Sequence, residues 1–215
     1  MRVLVAGAHG KTARRLVRML VADGHEVRGL VRKEEQTGDV EADGAEAVVV
    51  DLEAEEVEGG IGRTVEGCDA IVFAAGPGSG DARKETMDYG GAVKLVEAAE
   101  GRGVRRYLML SAMGAGDPEG GSEAMRPYLR AKARADERLR NSSLDYSIIR
   151  PGGLTEDEGT GTIDVAEKLG RRGEIPREDV ARTFAAALEN ENTYHKTFVT
   201  PHDTPALTLV ATVVK

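Results

Sequence analysis

The sequence predicts a doubly wound parallel α/β sheet, and three observations predict it. The first is an apolar run, Arg2 to Ala6, that passes straight into a glycine turn and then into a helix with one apolar face. The second is the recurrence of that alternation: short β-branched or apolar runs, bounded by glycine or charge, separated by amphipathic stretches. Strands that are apolar nearly throughout need helices on both sides, which a parallel sheet provides. The third is size, since 215 residues, 40% of them hydrophobic, suit one sizeable domain with a real core.

Taken in order, Arg2 to Ala6 is the first strand. Lys11 to Ala22 is a helix because Ala13, Leu16, Val17, Leu20 and Val21 share one face at helical spacing. Asp23-Gly24-His25 ends it. Glu26 to Val31, Ala47 to Val50 and Ala70 to Ala74 read as the next three strands, with a poor, acidic helix before the last of them. Thr86 to Glu100 is a better helix, Arg106 to Leu110 the fifth strand, about Ser122 to Arg140 a long helix, and Tyr146 to Ile149 the sixth strand. After Arg150 the pattern loosens into Pro151-Gly152-Gly153-Leu154 and an acidic loop. A short strand around Thr162 to Val165 follows, then a helix from Arg177 to Leu188 with Val180, Phe184 and Leu188 on one face, and a strand at Thr197 to Thr200. Residues 1–215 are thus expected to form a single domain in which 151–215 contribute a small substrate-side cap. In such sheets ligands bind at the carboxyl ends of the strands, so the loops after Ala6, Val31, Val50, Ala74, Leu110 and Ile149 should rim one crevice.

The first of those loops, Gly7-Ala8-His9-Gly10-Lys11-Thr12-Ala13, points to a dinucleotide. A pyrophosphate needs backbone N–H groups aimed at it and no side chain in the way. Gly7, Gly10 and Ala13 supply a tight turn, a close approach and a small residue where helix meets strand, at G-x-x-G-x-x-A spacing. Lys11 and Thr12 open the helix beside the phosphate, and His9 shapes the turn. After the second strand stands Arg32, then Lys33, where an acid would take the ribose 2′-hydroxyl of NAD; a basic residue there selects NADP over NAD, although Glu34 and Glu35 also allow a solvated charged turn. Asp51-Leu52 closes the third strand where adenine should lie, with Asp51 either accepting from its amino group or lying in a surface turn. Ala74-Ala75-Gly76 leaves room for the cofactor ribose, or packs tightly.

Ser111 ends the fifth strand, and Tyr128 and Lys132 follow on the next helix as Tyr128-Leu129-Arg130-Ala131-Lys132. An i, i+4 pair shares a helical face, so the Lys132 ammonium is expected to pull the Tyr128 phenol below its usual pKa of about 10 and make it a usable acid. The alternative is a half-buried tyrosine beside a surface lysine. Cys68 reads as a half-buried thiol rather than a nucleophile, and no metal site is evident. Met87, Met113 and Met125 flank the crevice, as apolar lining or core filler.

Composition narrows the function further. A net charge of −8, with acids interleaved among the bases, argues against a nucleic-acid surface. One cysteine excludes an internal disulfide, and no apolar run nears the ~20 residues of a membrane span. The chain starts directly on a core strand, and a cytoplasmic enzyme or sensor is the expectation.

Five segments together carry a resemblance: Gly7 to Arg14, Leu110-Ser111-Ala112, Tyr128 to Lys132, Leu144 to Gly152, and Arg177-Glu178-Asp179-Val180-Ala181. The chain resembles the atypical short-chain dehydrogenase/reductases, in the NAD(P)H-binding group often labelled epimerase-like, over nearly its whole length. The resemblance implies that Ser111 orients a substrate oxygen, Tyr128 gives or takes a proton, Lys132 holds the ribose and tunes the tyrosine, and Pro151 helps seat the nicotinamide. It also implies an NADP(H)-binding oxidoreductase that reduces a small carbonyl, quinone or flavin-like acceptor. Two departures matter. The chain lacks the long C-terminal region of nucleotide-sugar epimerases, and Asp88-Tyr89-Gly90-Gly91 lacks the asparagine that many active relatives place there. Compact relatives include flavin and biliverdin reductases without the tyrosine and NADPH-sensing regulators, so a non-catalytic sensor with a protein partner stands as the alternative.

Overall fold

The computed structural model describes residues 1–54, 58–76, 84–161 and 173–200. Strands β1 (Arg2–Ala6), β2 (Glu26–Val31), β3 (Glu46–Val49), β4 (Ala70–Phe73), β5 (Arg106–Leu110), β6 (Asp145–Pro151) and β9 (Lys196–Thr200) form one sheet in the order β3-β2-β1-β4-β5-β6-β9. Every pairing in it is parallel. Helices α1 (Lys11–Ala22), α2 (Thr37–Ala42), α3 (Glu58–Val65), α4 (Ala92–Arg102), α5 (Arg126–Arg140) and α6 (Arg177–Leu188) make the crossovers.

Alternation along each strand divides the core in two. Leu4, Ile71, Phe73, Tyr107, Met109 and Ile148 pack beneath α3, α4 and α5. Their sequence neighbours Val3, Val5, Val72, Leu108 and Ile149 face Leu16, Val17 and Leu20 of α1, Val40 of α2, and Val180 and Phe184 of α6. Both faces are therefore dry, and the period-2 burial explains why these strands read as continuous apolar runs. The strand order reverses between β1 and β4, which opens a crevice at their carboxyl ends.

Several elements differ from the sequence expectation for identifiable reasons. The expected helix from Thr86 begins as a π-helical segment, Lys84–Gly91, and becomes α-helical only at Ala92. The long helix starts at Arg126 rather than Ser122, because Pro127 lies in its first turn, where a missing N–H costs nothing, and short 3₁₀ turns occupy Met113–Gly116 and Pro118–Gly120 instead. The expected strand at Thr162 to Val165 lies outside the described residues. Beyond Pro151, β9 pairs with β6 and α6 packs on α1, so both belong to the body of the sheet sandwich. Among the described residues beyond Pro151, a separate small parallel pair is formed by β7 (Gly153–Thr155) and β8 (Glu174–Pro176). Among the described residues no helix is long and apolar enough to cross a membrane.

Candidate active site

The glycine turn sits at the β1 end of the crevice. Gly7 has a φ of +77°, and a Cβ on it would stand 2.5 Å from Ala75 Cα, so turn and β4 exit meet backbone to backbone. Gly10 is different: its φ of −66° suits any residue, and an added Cβ would meet only Gly7 O closely, at 3.1 Å. It is the N-cap of α1, with no side chain capping the helix and no acid in the first turn. Among the described residues no side chain caps the first N–H groups of α1, which face the crevice with the positive end of the helix dipole behind them, and this suits a phosphate. Thr12 and Ala13 are buried against the sheet.

Around this turn the remaining cofactor candidates fall into place unevenly. His9 Nε2 lies 2.9 Å from Asp39 Oδ2 and its Nδ1 3.3 Å from Gln36 Nε2, which ties the loop to α2. Gln36 Oε1 accepts from the backbone N–H groups of Arg32 and Lys33, setting the β2 exit. The Arg32 guanidinium is partly exposed and pairs with Glu53 at 3.7 Å. Asp51 Oδ1 accepts from Glu53 N at 3.0 Å, as a turn acid does. Leu52 is buried, and its carbonyl accepts from Lys94 Nζ at 2.9 Å. Ala75 is buried, Ala74 half-buried and Gly76 exposed at the β4 exit, and Pro151 is buried at the end of β6. Lys11 Nζ donates to Glu156 at 2.9 Å and Arg177 Nε to the same carboxylate at 2.8 Å, and these two cations hold Glu156 down to about 2.

At the β5 end, Lys132 lies between the Tyr128 ring and the Leu110 carbonyl, while the Ser111 side chain turns to Asp136, two turns beyond Tyr128 on α5. Ser111 N bonds Ile149 O at 2.8 Å, fixing the residue at the carboxyl end of β5, and its Oγ donates to Asp136 Oδ2 at 2.9 Å. Arg150 Nε and Nη2 reach the same oxygen at 2.9 and 2.8 Å. Lys132 Nζ donates to Leu110 O at 2.9 Å and pairs with Asp88 Oδ1 at 2.9 Å. Asp88 and Asp136 are 0% exposed and Ser111 and Lys132 are 3% exposed. Burial works against the Lys132 charge, but Tyr128, Asp88 and Asp136 outweigh it and raise its pKa.

The expected acidification of Tyr128 is corrected here. Burial pushes the phenol above its ordinary value, and although Lys132 pulls the other way from 5.9 Å, Asp88 and Asp136 oppose that pull. A lysine already paired with a buried carboxylate has little field left for a neighbour. Tyr128 is thus a neutral phenol in this arrangement.

Asp88, Asp136 and Arg150 are the site residues that sequence reasoning missed. One signal was available, since Tyr128, Lys132 and Asp136 recur every four residues and must share a helical face. The other candidates lie apart: burial raises the Cys68 thiol at the start of β4, the edge opposite the crevice, and Met87 is core while Met125 is exposed. Among the described residues no group of three or more His, Cys, Asp or Glu is placed to hold a metal.

Comparisons with known proteins agree with this geometry. A family model described as NAD(P)H-binding matches residues 7–191. The Bacillus subtilis (strain 168) protein YhfK, described as an uncharacterized sugar epimerase, is 44% identical over 209 residues, 95% of this chain and 96% of that protein. A solved Bacillus halodurans protein, provisionally described as an NAD-dependent epimerase/dehydratase, is 41% identical with a TM-score of 0.88, covering 95% of this chain and 96% of its own. The Lactococcus lactis oxidoreductase YlbE is 29% identical with a TM-score of 0.82, covering 96% and 93%.

Proposed function

The chain belongs to the NAD(P)H-binding family, and on that premise we propose that it is an NADP(H)-dependent reductase of a small carbonyl, quinone or flavin-like acceptor. The observation that carries this reading is the N-terminus of α1, which no described side chain caps, presented through Gly7 and Gly10 at the β1/β4 switch point beside the buried Ser111, Asp136 and Arg150 cluster at the ends of β5 and β6. When bound, the nicotinamide supplies a hydride. The residues of the chain then do the rest: the α1 N–H groups hold the pyrophosphate, Ala74, Ala75 and Gly76 leave the β4 exit clear, and Pro151 walls the β6 side. The preference for NADP rests on Arg32, the cation at the β2 exit.

That preference has a direct check. Arg32→Asp is expected to weaken NADP(H) binding by about 1–3 kcal/mol, the scale of a charge-assisted hydrogen bond together with new repulsion. NAD(H) binding should change much less. Calorimetric titration of both proteins with both cofactors reads this, and equal NADP(H) and NAD(H) affinities in the unmodified protein would remove the preference.

Turnover is tested by NADPH oxidation with methylglyoxal, phenanthrenequinone and flavin mononucleotide. Because burial raises the Tyr128 phenol above its ordinary value and makes it a weaker proton donor, and Lys132 is engaged by Asp88, Tyr128→Phe is expected to keep more than a tenth of the quinone reductase rate. A loss of about a hundredfold, the usual scale of general acid catalysis, would return the proton-donor role to Tyr128. The same neutral phenol weighs against epimerisation, which begins by taking a proton from a sugar hydroxyl and needs a base. A sensor without turnover is the second reading, favoured by the engagement of Lys132. Failure to oxidise NADPH with all three acceptors would select it.

A further inference from the structure

Charged side chains from three segments meet at the first turn of α1. Glu156, the residue after β7, accepts at one carboxylate oxygen from Lys11 Nζ at 2.9 Å and Arg177 Nε at 2.8 Å, and Arg15 Nη2 reaches its other oxygen at 3.4 Å. Arg177 also touches the phosphate turn itself, with Nη1 3.4 Å from Thr12 Oγ1. Three cations and one anion thus stand against Lys11 and Thr12, the residues that open α1.

Glu156 belongs to a short strap that crosses from the end of β7 to the first turn of α6. At α6 the strap is fastened by a buried group: Asp179, 0% exposed, accepts from Thr160 N at 2.9 Å, Thr160 Oγ1 at 3.1 Å and Gly161 N at 2.9 Å. Glu178 takes Gly159 N at 3.4 Å and pairs with Arg182, so it too is turned away from α1. At α1 the fastening is ionic and wet, since the side chains of Lys11 and Glu156 are 68% and 49% exposed. Ion pairs this exposed hold weakly and exchange partners readily. The strap is therefore firm at Asp179 whether or not Glu156 keeps its cations.

We propose that Glu156 holds the cations of the phosphate turn until the cofactor's diphosphate takes them, which makes Arg177 a cofactor-binding residue beside Lys11 and Glu156 their internal competitor. The exchange favours the diphosphate. It brings two charges and can use the α1 N–H groups and helix dipole as well as the side chains, whereas Glu156 brings one charge and reaches side chains alone. A carboxylate left in place would repel the ligand, so Glu156 swings to solvent and lowers cofactor affinity by the cost of leaving its partners. This inference rests on the NADP(H) reading above.

Calorimetric titration with NADPH tests it without turnover. Glu156→Gln keeps the side-chain shape and removes the competing charge, and at low ionic strength its Kd should fall about three- to tenfold. In about 1 M NaCl, where charges are screened beyond about 3 Å, most of that gain should disappear. Because Asp179 still fastens the strap, Tm should change by less than about 2 °C. Glu158→Gln, which removes an equally exposed charge two residues along, should alter Kd less than about twofold. Arg177→Gln should raise Kd at least about threefold. An unchanged or higher Kd in Glu156→Gln would make Glu156 a clamp that prepares the cations for the ligand, and an equal gain in Glu158→Gln would reduce the effect to surface charge; either overturns the proposal, as does an unaltered Kd in Arg177→Gln. If the unmodified protein binds no NADP(H), the cofactor reading falls and this one with it. If it binds NADPH and is indifferent to Glu156→Gln, only this one falls.

Discussion

Gly10→Val is expected to raise the Kd for NADP(H) by at least about a hundredfold while the folded protein persists. Hydrogen bonds to a charged group contribute about 1.5–3 kcal/mol each, and a side chain over the α1 N-terminus removes at least two of them, which amounts to roughly 3–6 kcal/mol or two to four orders of magnitude. The fold loses far less. Gly10 already has an ordinary φ of −66°, and its added Cβ meets only Gly7 O at 3.1 Å. Valine is a poorer N-cap than glycine by roughly 1 kcal/mol, which in a domain of this size lowers Tm by about 2–4 °C. Gly7 is the internal contrast. Its φ of +77° and the 2.5 Å approach of a Cβ to Ala75 Cα mean that Gly7→Val should lose folding and binding together. Calorimetry with NADPH, paired with thermal melts of both variants, separates the two positions. Retained affinity in Gly10→Val would show that no pyrophosphate lies on this turn.

The contrast between these two glycines also marks what the sequence can and cannot convey. Both stand in one motif, and the spacing points to a phosphate turn, but which glycine serves the fold and which serves the ligand depends on where Ala75 arrives from β4. Strands were legible because parallel strands buried on both faces have nothing polar to interrupt them, as with Val3, Leu4, Val5 and Ala6. Helix α2 was not, because Thr37–Ala42 is short and buries only Val40. The helix α6 was read correctly from Val180, Phe184 and Leu188, yet an amphipathic face does not say which layer it will cover. At the site, Tyr128 and Lys132 were legible as a pair. Asp88 and Asp136 were not, since an acid in a helix rich in charge reads as solvated, and only the tertiary approach of Lys132 and Arg150 makes burial of each carboxylate tolerable.

A large loss of stability without loss of cofactor affinity is expected at the opposite edge of the sheet, from Arg106→Met. Arg106 opens β5 and is 4% exposed. Its Nε donates to Leu188 O at 2.9 Å, its Nη1 to Asp145 O at 2.7 Å, and its Nη2 to Ala187 O at 2.5 Å, Ser147 Oγ at 3.0 Å and Thr193 Oγ1 at 2.9 Å. The guanidinium also lies 4.5 Å from the centre of the Tyr194 ring. Ala187 and Leu188 are the last residues of α6, so this one side chain caps the Leu188 carbonyl, adds to the Asn190 N–H and Thr193 hydroxyl that already bond the Ala187 carbonyl, and sets a positive charge at the negative end of the helix dipole. Burial lowers its pKa to about 10, with Tyr194 and Asp145 opposing, and the cation persists at neutral pH. Methionine fills much of the volume but takes the guanidinium donors from the buried Leu188 and Asp145 carbonyls, while Ala187 O keeps Asn190 N–H and the Ser147 and Thr193 hydroxyls keep each other. Removing a buried charge that completes such a network costs about 3–5 kcal/mol, or roughly 6–20 °C in Tm for a domain of this size. Arg106→Lys should recover only part of this, since one ammonium with three donors cannot span acceptors on α6, β6 and the Glu191–Thr193 turn at once. NADP(H) affinity of the protein that remains folded should be unchanged, because the crevice lies at the other end of β5, past Leu110. Urea unfolding followed by circular dichroism measures the stability of each variant. A loss below about 1 kcal/mol in Arg106→Met would mean that water, rather than this guanidinium, closes the end of α6.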